Sequence, residues 1–355
     1  MKICKIADLT GEEILDKAIM TSDYQILLSE GTKLRKEYIE RLEALGITEV
    51  YIKEEIPTEE VVILKNEIEE NFKDKVKAVI EKHTYSHSDE LVELSKTADN
   101  IIDNLLKEEE VIEKIYDIKE RNSDIYEHSI NICSIAILVA LKMNISQRKI
   151  HDIGVACLLH DLGLRYITVN YTDRNIEELS EMELAEYMKH PIYGYSALKN
   201  EPWISEISKN IILYHHEHLD GSGYPLKAVD IPVEVRIVTI CEVFDEMICG
   251  IGCRRFKVYE AIEHLKEYKD ILFDGEIVDV FLKLTAVYPA GSYVLTSQGE
   301  IGIVLRQNKN YPDKPFIKII YDNKGERIQN DLVKDLSTEE NLFIEKVVED
   351  IRKIK

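Results

Sequence analysis

Ala156-Cys157-Leu158-Leu159-His160-Asp161-Leu162-Gly163 closes an apolar helical stretch on an imidazole, a carboxylate and a natural stop at Gly163. Around it the text is helical nearly throughout from 116 to 286, with helices expected at 123–142, 146–162, 181–190, 204–218, 232–248 and 258–267. Several of these stretches carry or end on histidine: His128 in the first, His160 in the second, His190 just before Pro191, and the pair His215-His216. Adjacent residues on a helix diverge by roughly 100°. His160 can therefore reach one metal ion while Asp161 bridges to a second.

Seven of the ten histidines fall between 128 and 218, so the chemistry is sought there. Asp124 precedes His128 by four residues, a spacing that puts both on one helical face and within reach of a single metal. His215-His216 runs into Glu217-His218-Leu219-Asp220-Gly221-Ser222-Gly223-Tyr224-Pro225, a loop too rich in glycine to be core. Imidazole and carboxylate together suit iron or manganese, with zinc as the alternative, and a bridging carboxylate suits two or three ions. His83, His87, His151 and His264 stand outside this pattern and read as structural.

Outward from this middle the pattern changes on both sides. Residues 1–56 read as a small α/β unit, with a strand at Gln25-Ile26-Leu27-Leu28, a helix from Arg35 to Leu45 stopped by Gly46, and a strand at Val50-Tyr51-Ile52. Residues 57–115 read as a helical linker whose apolar residues, among them Phe72, Val76, Leu94 and Ile101, suit packing on a neighbouring helix or on a second copy in a homodimer. From 287 to the end short strands appear, as at Phe316-Ile317-Lys318-Ile319-Ile320-Tyr321, and an amphipathic helix is expected from Thr338 through Ile351. The fold class is thus mainly α, with a small α/β unit before the helical domain and a small β-rich unit after it.

With 45 Lys+Arg against 67 Asp+Glu, the formal net charge is −22 over 355 residues, which provides no basic face for DNA or RNA. The longest purely apolar run, Ile135 to Leu141, is far short of the roughly 20 residues of a spanning helix. Lys2, Lys5, Asp8, Glu12, Glu13 and Asp16 leave no room for a secretory leader. Cys4, Cys133, Cys157, Cys241, Cys249 and Cys253 are scattered, as expected of free thiols in a reducing cytoplasm.

These motifs together resemble the HD-GYP branch of the HD phosphohydrolase superfamily. The resemblance is carried by His128, His160-Asp161-Leu162-Gly163, Lys189-His190-Pro191-Ile192-Tyr193-Gly194, His215-His216-Glu217 and Asp220-Gly221-Ser222-Gly223-Tyr224-Pro225, in that order over 116–286. It implies a helical HD-type domain and a phosphodiesterase of cyclic dinucleotides, chiefly cyclic di-GMP. It places His128, His160, Asp161, His190, His215 and His216 on metal-ligand positions, with Asp124 and Glu242 where the family carries Glu and Asp. Asp161 and Asp245 take the catalytic positions; Tyr224, Arg254 and Lys257 take substrate-binding ones.

The departures bear on rate. Leu164 stands where the family's signature ends in Lys, and loss of one cation from a phosphate site costs about 2 to 4 kcal/mol of transition-state stabilisation. Glu246 stands where Ala or Lys is usual, and Gly250-Ile251-Gly252 reads as an insertion before Arg254. The resemblance therefore implies an enzyme of reduced activity, with a degenerate domain that binds metal and nucleotide as a sensor or scaffold as the alternative.

Overall fold

Pro57 marks a division in the chain, with Met1–Pro57 and Thr58–Lys355 forming two separate units. The computed structural model describes residues 2–20, 26–53, 56–86, 89–107, 111–121, 123–171, 174–328 and 330–348. His87, Gln25 and the last part of the helix expected after Thr338 lie outside them.

The first unit contains β1 (Lys2–Lys5), β2 (Ile19–Met20), β3 (Ile26–Leu28), α1 (Lys36–Ala44) and β4 (Glu49–Ile52). β1 pairs antiparallel with β4, and β2 with β3. Leu15, Leu34, Leu42 and Val50 form its core. The expected strand, helix and strand are present, and the first residues add a partner strand that the sequence pattern did not reveal.

The second unit opens with α2 (Asn66–Ser86) and α3 (Glu93–Leu106), continues through α4 (Ile125–Lys142), α5 (Gln147–Leu159), α6 (Glu181–Tyr187), α7 (His190–Leu198), α8 (Glu206–Tyr214), α9 (Val233–Cys249), α10 (Val258–Glu267) and α11 (Gly275–Leu284), and closes with a sheet. The helical middle thus matches the expected boundaries closely at α4, α9 and α10. His190 does not end a helix: it begins α7, where Pro191 is tolerated because the first-turn N–H groups have no intrahelical partner. α11 is an addition, announced by Asp274, whose carboxylate caps Glu276 and Ile277.

The segment expected as a linker packs on its own chain. Phe72, Val76, Leu94, Ala98 and Ile101 are buried in the same core as Ile130, Ile137, Ile153 and Phe244, so the apolar stripe of α2 and α3 is already covered. α4 is long and apolar enough to cross a membrane by length and composition, yet 72% of it is buried inside this unit.

The sheet consists of β5 (Tyr293–Thr296), β6 (Ile301–Asn308), β7 (Tyr311–Tyr321), β8 (Val333–Asp335) and β9 (Ile344–Val347), in the order β8-β7-β6-β5-β9. The C-terminal helix expected from Thr338 is absent among the described residues. Leu342 and Ile344 instead enter the core of the sheet, and Val347 pairs antiparallel with Val294 on β5. An exposed edge of β5 supplied the partner that decided strand over helix. Asp117 fastens the sheet to the helices: its carboxylate accepts from the N–H of Val61 at 2.8 Å, the N–H of Ala290 at 2.7 Å and Gln307 Nε2 at 2.6 Å.

Candidate metal centre

Five pieces of chain converge on one buried point. His128 comes from the first turn of α4, His160 and Asp161 from the turn after α5, and His190 from the start of α7; His215 and His216 follow α8, and Glu242 lies in the middle of α9. All but Asp161, whose side chain is 13% exposed, are buried. The close fit of the turn after α5 against α7 requires Gly163, since a Cβ there would lie 1.8 Å from the carbonyl oxygen of His190. Any larger residue would hold His190 away from Asp161.

Three imidazoles are oriented by the same device. His160 Nδ1 donates to the carbonyl of Cys157 at 2.7 Å, His190 Nδ1 to that of Tyr187 at 2.9 Å and His215 Nδ1 to that of Ile212 at 3.0 Å. A carbonyl only accepts, so Nδ1 carries the proton in each and Nε2 is turned to the centre. His190 Nε2 and His215 Nε2 consequently face each other at 3.3 Å. Burial lowers the pKa of His190, and it takes that of His215 down to about 3, with the neighbouring His160 adding to the fall. Two neutral imidazoles with lone pairs directed at one another are what a shared cation requires.

Asp161 joins two halves of the site. Its Oδ1 lies 3.4 Å from His190 Nε2 and 4.0 Å from His215 Nε2, while its Oδ2 lies 3.4 Å from His160 Nε2. On the far side Glu242 spans His128 and His160, with Oε1 3.1 Å from His128 Nε2 and Oε2 3.2 Å from His160 Nε2. Two groups result: His190, His215 and His216, and His128, His160, Asp161 and Glu242. His160 Nε2 and Glu242 Oε2 are sealed from solvent and make no hydrogen bond despite their proximity. Burial would drive His160 towards the neutral form, but Asp161 and Glu242 hold its pKa up at about 10. Burial likewise opposes the charge on His128, and Glu242 and Asp245 overcome it, raising its pKa well above the ordinary range. Without a metal, the protons on these two imidazoles supply the positive charge that the carboxylates demand. The donor set, the orphaned ligand atoms and the crowded carboxylates all fit divalent cations.

Other expected residues take different places. Asp124 is drawn away from the centre because it is the N-cap of α4, not part of its helical face: its Oδ1 accepts from the N–H groups of Tyr126 and Glu127 at 2.9 and 3.1 Å. Asp245 stands behind His128, accepting from Nδ1 at 2.7 Å, and so orients that imidazole. Arg254 pairs with Glu260 at 3.2 Å and lies over the Phe256 ring at 3.8 Å, and Lys257 Nζ lies 4.0 Å from Glu120. Neither basic side chain belongs to the metal cluster. Tyr224 does adjoin it, stacked on His216 with centroids 4.5 Å apart and planes 18° apart. Leu164 is buried at 5% exposure. His151 is structural, bonded to Asp99 at 2.7 Å.

Two residues that the sequence reading named without a role take definite places. Glu217 is 1% exposed and accepts from the N–H groups of Leu226 and Ala228 at 2.6 and 2.9 Å, which fixes the loop carrying Tyr224. The glycine there has the same purpose, since a Cβ on Gly223 would meet the His216 carbonyl oxygen at 2.4 Å. Glu246, one helical turn beyond Glu242, groups with His216 and Glu242. Burial and the nearby Glu242 raise its pKa well above the carboxylate range. Its i, i+4 spacing from Glu242 was the available signal.

Residues 110–277 match the model of the HD domain, and residues 293–354 that of a KOW domain associated with the HD domain. The chain is 26% identical over 230 residues to the cyclic di-GMP phosphodiesterase PA4108 of Pseudomonas aeruginosa, a match covering 64% of this chain and 55% of that one. It is 33% identical over 156 residues to the cyclic di-GMP phosphodiesterase response regulator RpfG of Xanthomonas campestris pv. campestris, covering 42% and 40%. The chain spans about half the length of these curated relatives. Among solved structures, the HDG"Y"P protein Bd1817 of Bdellovibrio bacteriovorus superposes with a TM-score of 0.52 at 18% identity, covering 79% of this chain and 97% of that one. That likeness is one of fold.

Proposed function

Since residues 110–277 belong to the HD domain family, in its HD-GYP branch, we propose that the chain is a metal-dependent phosphodiesterase that opens cyclic di-GMP to the linear dinucleotide pGpG or carries it on to GMP. The observation that carries this reading is Asp161, which turns one oxygen to His190 and His215 and the other to His160. A carboxylate so placed would serve two cations at once.

His190, His215 and His216 would hold one ion, and His128, His160 and Glu242 another, with Asp161 between them. Divalent ions of iron or manganese, once bound there, neutralise charge on phosphoryl oxygens and lower the pKa of water. The protein's own residues do the positioning. Carbonyls of Cys157, Tyr187 and Ile212 fix three imidazoles, Asp245 fixes a fourth, and Glu217 holds the loop that lays Tyr224 over His216. Burial of the histidines and Glu242 lowers the local dielectric, which strengthens every charge interaction in the site.

Leu164 favours the second reading, a domain that binds metal and nucleotide without rapid turnover, because its buried side chain gives the phosphate no cation. The experiment is to measure Fe, Mn and Zn in the purified protein, then follow cyclic di-GMP by chromatography with Mn²⁺ or anaerobic Fe²⁺. Conversion to linear product, abolished together with metal content in Asp161→Ala, is the expected result. A metal-replete protein that leaves the substrate intact would refute the enzyme reading.

A further inference from the structure

Away from the metal centre, α3 and α5 bring together a serine, a histidine and an aspartate. Ser95 and Asp99 lie four residues apart on one face of α3, and His151 meets both from α5. His151 Nδ1 is 2.7 Å from Asp99 Oδ1, and its Nε2 is 3.2 Å from Ser95 Oγ. We propose that these three residues form a second catalytic site, in which Ser95 takes the acyl group of an activated ester and hands it to water. This site stands apart from the metal centre and from the phosphodiesterase reading.

The hydrogen bonds settle the roles. A carboxylate only accepts, so His151 Nδ1 carries the proton that it gives to Asp99, and the bond that makes His151 structural also fixes its tautomer. Nε2 then holds a lone pair, and the Ser95 hydroxyl donates to it. That is the order of nucleophile, base and orienting carboxylate that activates a hydroxyl. Helical serines elsewhere in this unit behave differently: Ser129 and Ser134 on α4 turn their hydroxyls back to the carbonyls of Ile125 and Ile130, at 2.9 and 2.8 Å. Ser95 is partly exposed and the His151 side chain is 30% exposed, so an ester can reach both.

In the first step Ser95 Oγ attacks the ester carbonyl carbon as its proton passes to His151 Nε2. The bond from that carbon to the leaving oxygen breaks, and the leaving oxygen takes the proton from Nε2. In the second step water attacks the acyl carbon and gives a proton to Nε2; Ser95 Oγ departs, recovers that proton, and the acid is released. The substrate class follows from what α3 lacks. A helix directs its N–H groups along its own axis, so its backbone forms no oxyanion hole, whose donors each supply about 10²- to 10³-fold. Aryl esters, which carry a good leaving group, react without that help; alkyl esters and peptides do not.

The test treats the full chain with p-nitrophenyl acetate and, separately, with a fluorophosphonate, and maps the modified residue by mass spectrometry. A burst of nitrophenolate followed by slower turnover is expected, with both reagents on Ser95 in preference to the other serines. Acetyl groups on Ser95 are removed by hydroxylamine, whereas those on the neighbouring Lys96 are not. A base within hydrogen-bond reach contributes about 10²- to 10⁴-fold, so His151→Gln should slow modification of Ser95 by that factor. Asp99, a positioning residue, is 60% exposed, so Asp99→Asn should slow it by less than the roughly 10⁴-fold cost of the same change at a buried triad carboxylate. Ser95→Ala should abolish the burst, and Ser95→Cys, which keeps a nucleophile in place, should restore it with the acyl group on sulfur. An unmodified Ser95 in the wild type would overturn the proposal. So would modification as fast in His151→Gln as in the wild type, which would leave the three residues as a clamp between α3 and α5.

Discussion

Gly163→Ala puts the geometry of the centre to a direct test. The added Cβ would lie 1.8 Å from the carbonyl oxygen of His190, and 2.7 Å from both the carbonyl carbon of His190 and the amide nitrogen of Gly194. Real Cβ atoms do not approach within 3.0 Å of such neighbours, so the turn after α5 and the start of α7 must part by about an ångström or more. The obstacles are backbone atoms, which cannot rotate aside. His190 then leaves its place 3.3 Å from His215 Nε2 and 3.4 Å from Asp161 Oδ1. Metal sites tolerate about ±0.2 Å in ligand distance, so the first group loses its ion. Overpacking of this kind costs roughly 1 to 3 kcal/mol of stability, a fall of several degrees in melting temperature for a unit of this size. Elemental analysis and thermal unfolding read the two effects separately. Gly154→Ala on α5 is the control, because its Cβ meets side chains alone, with Ala98 nearest at 3.2 Å and Cys133 and Ile137 at 3.6 Å, and a few tenths of an ångström relieve it. Wild-type metal content and unchanged melting in Gly163→Ala would refute the packing argument.

Glu217→Ala leaves the N–H groups of Leu226 and Ala228 without their acceptor and should cost about 2 to 4 kcal/mol. Metal content should persist while KM for the nucleotide rises, and steady-state kinetics beside elemental analysis will show whether the two separate. Leu164→Lys restores a cation at a buried position, so turnover should rise while melting temperature falls; a fall in stability alone would mean that phosphate contact is not what limits the site. Metal uptake should release protons at pH 7, because His160 keeps its proton up to about pH 10 and a cation takes the same nitrogen. Raising the pH removes the competing proton, so affinity should rise with pH; calorimetric titration with manganese in two buffers of different ionisation enthalpy counts the protons released.

The helices that position the centre were legible because α4, α9 and α10 combine long apolar patterning with clear ends. The histidines were legible because each stands beside a break in that pattern. Asp124 was misjudged because four residues of spacing imply a shared face only inside a helix, and a cap lies outside it. His190 was assigned to the wrong helix because Pro191 suits a helix start as well as a helix end. The last strand was hidden because Leu342, Ile344 and Val347 fit a helical stripe when read locally, and only the free edge of β5 distinguishes the alternatives. Glu217 was given no role because only the folded loop brings the N–H groups of Leu226 and Ala228 onto its carboxylate, and Glu246 because its spacing from Glu242 was the one signal and only the fold adds His216.

Three of the inward-facing histidines also have a second employment. Cys157, Tyr187 and Ile212 lie in the last turns of α5, α6 and α8, where carbonyls have no partner within the helix, and the imidazoles of His160, His190 and His215 supply it. These side chains are thus end-stops of the scaffold as well as candidate ligands, and a variant stripped of metal still needs them to finish its helices. Asp161 and Glu242 cap none of these three helices, so substituting them tests metal binding while leaving those ends intact.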